Sequence, residues 1–166
     1  WWIPDVAVGR LVETPGQISS LINTYIAQDG VTIADRVMTT GYDFLTDAGD
    51  DCYSRLTAAL DTTAPLPTTT ITRLSEAVSA WTDTTLKNNL FGLGGASASN
   101  FSIVSGHADH RAEGAAAAGA AGILDTVEMN VGSSGISGAL VVGLGCHTGL
   151  SVLPDGGPAD LTATGF

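Results

Sequence analysis

Charge is scarce in this 166-residue chain: Asp, Glu, Lys and Arg together make up 14% of it, and its cations are one lysine, Lys87, and five arginines. Against 17 acidic residues this leaves a net charge of −11. A surface of that sign repels phosphate backbones, which argues against nucleic acid as a partner. Cysteine is equally sparse. Cys52 and Cys146 are the only two, too few for the disulfide framework that staples small secreted domains. No apolar run approaches the roughly 20 residues that span a bilayer, and no basic stretch leads into an apolar one at the start, as in a secretory leader. The chain opens on Trp1-Trp2-Ile3-Pro4 and closes on "TATGF", so it reads as a segment of a longer, truncated protein.

Aliphatic and small residues are abundant, with 44% of the chain hydrophobic. Residues 1–166 are one domain's worth, long enough for a core, and the balance suits an α/β fold with a buried sheet covered by helices. "ETPGQISSLINTYIAQDG" carries helix punctuation: Thr14 as N-cap, Pro15 at the first helical position and Gly30 past the end. Ile18, Leu21, Ile22 and Tyr25 form its apolar stripe. "DRVMTTGYDF" reads as a strand entering a turn. Cys52, Leu56, Ala59 and Leu60 then repeat at helical spacing until "TTAPLP", and "TTTITRL" is a second, β-branched strand. In "WTDTTLKNNLFG" Thr82 caps a helix, Trp81 and Leu86 close a staple around the cap, and glycines end it. "FSIVSG" and "ALVVGLG" are the third and fourth strands, the last apolar enough to be covered on both faces. Between them residues 112–137 are Ala- and Gly-rich and read as a flexible connection, with the alanines as a possible helix.

Strands separated by helices imply right-handed crossovers and a parallel sheet, in which ligands bind beyond the carboxyl ends of the strands. "SGHADH" places His107 at the end of the third strand, and "GLGCHTG" places Cys146 at the end of the fourth. A thiolate paired with an imidazole is a nucleophile with its proton donor. Gly106 and Gly145 would let a substrate backbone approach, and backbone N–H groups at Ala108 and Cys146 could hold an oxyanion. The plain alternative is a buried structural cysteine beside a loop histidine. A third reading is metal: "HADH" resembles part of the metallo-β-lactamase zinc motif, with His107, Asp109, His110 and His147 as candidate ligands. Ser105 stands where that motif has its first histidine.

Taken in order, "PDVAVGRLVETPGQI", "TGYDFLTDAGDD", "SIVSGHADH" and "LVVGLGCHTGLSV" resemble the gingipain-like cysteine peptidases, of the clan with the caspase-type fold. The resemblance is weakest over residues 62–80 and 112–137. It implies a caspase-like three-layer sandwich with a mainly parallel sheet, and a secreted or cell-surface bacterial peptidase acting on peptide or protein substrates without a cofactor or metal. His107 matches the family's catalytic histidine and Cys146 its nucleophile; Ala108 stands where the family often has glycine. In arginine-cleaving members an acid near the first sheet helix holds the substrate cation, and Asp47, Asp50 and Asp51 lie in the matching region. Carboxylate–guanidinium pairing suits that role, although acids at a helix start are also explained by the helix dipole. The alternative within this resemblance is an inactive caspase-like module of a bacterial surface protein, kept for binding or architecture.

Overall fold

The computed structural model describes residues 15–31, 34–62, 69–108, 112–114, 123–125 and 138–145. Within these, the chain is an α/β protein with a four-stranded, all-parallel sheet. Helix α1 (Pro15–Ala27) is followed by β1 (Arg36–Gly41), a single 3₁₀ turn (Asp43–Leu45), α2 (Thr46–Thr62), β2 (Thr70–Ser75), α3 (Asp83–Phe91) and β3 (Phe101–Ser105). Two short strands, β4 (Ala112–Gly114) and β5 (Ile123–Asp125), precede β6 (Leu140–Leu144).

The sheet order is β2-β1-β3-β6. The chain leaves β1 through α2 to reach β2 on one side, then returns through α3 to β3 on the other. Right-handed crossovers running in opposite directions put their helices on opposite faces of a sheet, and the side chains agree. Met38, Leu74, Val104 and Val141 lie on one face and join Trp81, Leu86, Leu90, Phe91 and Leu124 in the core cluster. Gly41 points to the other face, where a Cβ would meet the carbonyls of Leu45 and Thr46 at 3.1 and 3.2 Å, where the 3₁₀ turn runs into α2.

Gly49 marks how closely α2 lies on β1. A Cβ there would drive into the Thr40 carbonyl, which is strand backbone and cannot swing aside. Alanine is the better helix former by about 1 kcal/mol, yet overpacking of this kind costs about 1–3 kcal/mol. Gly49→Ala should therefore lower the unfolding free energy by up to about 2 kcal/mol in urea titration. A neutral or stabilising result would mean that α2 can ride higher on the sheet.

Helix α3 follows its sequence signals: the Thr82 side chain accepts from Thr85 N–H, and Gly92 closes the helix in the left-handed conformation at φ 71°. Three expectations need correction. The stripe on α1 is solvent-facing, with Leu21, Ile22 and Tyr25 at 57, 43 and 61% exposure. Strand β6 is an edge of the described sheet rather than a strand covered on both faces: Leu140, Val142 and Leu144 are exposed. And the Ala/Gly-rich stretch contributes an antiparallel pair, β4 with β5, because Leu124 supplies a fully buried side chain to the core. Its other residues, apart from 112–114 and 123–125, lie outside the described ones. No helix among the described residues is long and apolar enough to cross a membrane.

Candidate functional site

The neighbours β1 and β3 are the strands from which the chain departs in opposite directions, so the crevice at their carboxyl ends is the topological switch point where open α/β sheets bind ligands. Their direct register runs from Val37↔Phe101 to Thr39↔Ile103. Beyond it the Thr40 hydroxyl takes over, accepting from Ser105 N–H at 2.8 Å and donating to Ser105 C=O at 3.1 Å. The two strands are thus bridged by a side chain where they open.

His107 stands at that opening. Its backbone is held on both sides: the N–H donates to the Tyr42 hydroxyl at 3.0 Å, and the carbonyl accepts from Gly114 N–H at 2.8 Å. A Cβ at Gly114 would strike the Tyr42 hydroxyl, which would have to shift. The Tyr42 ring packs edge-on against both His107 and Trp81, at centroid distances of 5.4 and 5.6 Å. Trp81 is buried, and its Nε1–H donates to Gly41 C=O at 3.4 Å. A chain of aromatic contacts therefore ties the histidine backbone to the core.

The imidazole is half exposed and meets Asp43: His107 Nε2 lies 3.0 Å from Asp43 Oδ2. Asp43 adopts φ 52°, left-handed for a non-glycine residue. Aspartate tolerates that region better than most residues, at a cost of about 1 kcal/mol. Two bonds offset it. One is the contact with His107; the other is Asp43 N–H donating to Glu76 Oε2 at 2.7 Å. Glu76 N–H in turn donates to Gly41 C=O at 3.0 Å, so the segments after β1 and β2 are laced together at the rim. Phe44 follows, 62% exposed, with its ring edge-on to His107 at 5.0 Å.

With Nε2 engaged by Asp43, Nδ1 is the imidazole nitrogen left for chemistry. Backbone held at two points and a ring fixed by a carboxylate are what a proton-transferring histidine needs.

Cys146 lies outside the described residues, one peptide bond past Gly145. The register of β3 with β6 runs to Ser105↔Leu144, and Gly106 N–H donates to Leu144 C=O at 3.3 Å. His107 is the second residue after Ser105, and Cys146 is the second after Leu144. Of the two backbone groups expected at an oxyanion site, Ala108 is half-buried next to His107, and that of Cys146 is not described.

The three helix-start acids separate. Asp50 holds Arg73 in a fork, Oδ1 to Nε at 2.9 Å and Oδ2 to Nη2 at 2.8 Å, and the Arg73 guanidinium also lies 5.0 Å over the Tyr53 ring. The hydrogen bond from Arg73 holds the Asp50 carboxyl below its ordinary range, against the opposing pull of burial. Asp51 pairs with Arg55 one turn along at 2.6 Å, an exposed i,i+4 pair. Asp47 is exposed and makes no ion pair among the described residues. Cys52 is a half-buried free thiol. Asp109, His110 and His147, the further ligands of the zinc reading, lie outside the described residues, among which no cluster of three or more metal-ligating side chains occurs.

Sequence reasoning missed Asp43 and Phe44. Their roles depend on β1 and β3 being neighbours 64 residues apart in the chain. The one local signal was a Tyr-Asp-Phe turn immediately after a buried strand. Compared with protein-family models and with curated protein sequences, the chain matches none.

Proposed function

We propose that the protein is a cysteine endopeptidase of the caspase-type fold, gingipain-like and acting outside the cell, with Cys146 as nucleophile and His107 as proton donor. The observation that carries this reading is the Asp43–His107 pair at 3.0 Å at the switch point, with His107 just past the end of β3, the neighbour of the strand β6 that leads to Cys146. The strand order and the helix on each face are compatible with the caspase-type sandwich. The Cys146 thiolate attacks the scissile carbonyl, and backbone N–H groups at Cys146 and Ala108 receive the oxyanion. The intermediate collapses to a thioester as the C–N bond breaks, and the departing amine takes its proton from His107 Nδ1. Water then adds to the thioester, giving its proton to His107, and the acid product leaves with Cys146 restored.

Asp43 orients the imidazole through its contact with Nε2. It touches no reacting atom, so it is a positioning residue. Asp43→Ala should lower kcat/KM about tenfold, as expected for the loss of one solvent-accessible charge-assisted hydrogen bond worth about 1.4 kcal/mol. Asp43→Asn, which keeps a hydrogen-bonding side chain, should recover part of it, and the loss should fall on kcat rather than KM.

Of the three acids, only Asp47 is without an intramolecular cation among the described residues, so a preference for a basic P1 residue rests on it. A thiol-directed probe tests the whole reading by peptide mapping. Labelling of Cys146 well above Cys52, lost in His107→Ala, supports the peptidase. Labelling of Cys146 no greater than that of Cys52 supports a non-catalytic module.

A further inference from the structure

A phenylalanine ring left in water forgoes the gain of apolar burial, and Phe44 is 62% exposed. The backbone before it is held in a left-handed conformation at Asp43 (φ 52°), by a carboxylate on each side of the turn: its own, on His107, and that of Glu76, on its N–H. The arrangement therefore keeps the ring at the rim, edge-on to the imidazole at 5.0 Å. By contrast, Asp50 and Asp51 are engaged with Arg73 and Arg55. The exposed Phe44 ring thus follows a turn held by the same Asp43 carboxylate that holds the histidine.

Resting on the peptidase reading above, we infer that Phe44 sets specificity by receiving an apolar side chain of the peptide substrate at a residue flanking the scissile bond. Burial of that side chain against the ring removes both from water, and the imidazole next to it is then desolvated as the substrate seats. Where that residue is P1, the basic-P1 preference placed on Asp47 does not hold; where it is P1′, the two preferences occupy adjacent positions.

The test uses two panels of fluorogenic peptides, one varied at P1 and one at P1′, each with Ala, Leu, Phe, Lys and Asp. The expected result is that Leu or Phe exceeds Ala in kcat/KM by about tenfold or more in one panel, the discrimination an apolar contact supplies. Phe44→Ala should compress that ratio to about twofold, mainly through KM, and Phe44→Leu should retain most of it. Cleavage with no apolar preference in either panel, or a preference that Phe44→Ala leaves intact, overturns the inference while leaving the peptidase reading in place. Absence of both cleavage and selective Cys146 labelling overturns the two together.

Discussion

Alanine in place of His107 should lower kcat/KM toward a peptide substrate by about 10²–10⁴-fold, the range that a positioned proton donor contributes. The substitution is a clean one. The bonds that place residue 107, to the Tyr42 hydroxyl and from Gly114 N–H, are made by its backbone and survive truncation of the side chain. The imidazole is half exposed, so its removal should lower the unfolding free energy by no more than about 1.5 kcal/mol, the worth of its solvent-accessible hydrogen bond to Asp43. A large kinetic loss with no larger fall in stability would locate the effect in the chemistry. Combined with Asp43→Ala, the double variant should be no slower than His107→Ala alone, because a residue that acts through the imidazole has nothing left to orient. Full activity in His107→Ala would remove the histidine from the reaction.

The parts of this arrangement that could be read from the sequence are those set by local chemistry. Thr82 before α3 and Gly92 after it are a cap and a stop because each satisfies backbone groups within a few residues. The strands β1, β2 and β3 show as β-branched or apolar runs that end in turns. The position of His107 at a strand end follows from the same pattern. The parts that could not be read depend on contacts distant in the chain. An apolar run such as "ALVVGLG" looks the same whether the strand is central or at an edge; the exposure of Leu140, Val142 and Leu144 is decided by what packs on it. One buried leucine, Leu124, anchors a strand pair inside a stretch whose glycines suggest none. Asp51 and Arg55, one helical turn apart, form a pair that i,i+4 spacing alone could have found. The pairing of Asp50 with Arg73 across 23 residues was not legible in that way.

The second large effect is expected at Trp81, which contacts no substrate in this scheme. Its side chain is 3% exposed within the core cluster, and truncating a buried tryptophan to alanine costs about 3–5 kcal/mol. That is a large share of the roughly 5–15 kcal/mol by which a domain is stable, so Trp81→Ala should unfold at a much lower urea concentration. The consequence for the site follows from geometry. Tyr42 loses the ring it packs against at 5.6 Å, and its hydroxyl is what receives His107 N–H. Gly41 C=O keeps Glu76 N–H as a donor when the indole is removed, so the end of β1 stays pinned while the aromatic contact behind the histidine is lost. Under conditions where the variant is still folded, kcat should therefore fall as well. Trp81→Phe, which keeps a ring and gives up only the N–H, should recover most of both properties. A Trp81→Ala protein that lost stability but kept its kcat would show that Tyr42 does not transmit core packing to His107, and would leave the Asp43 carboxylate as the group that sets the imidazole's position.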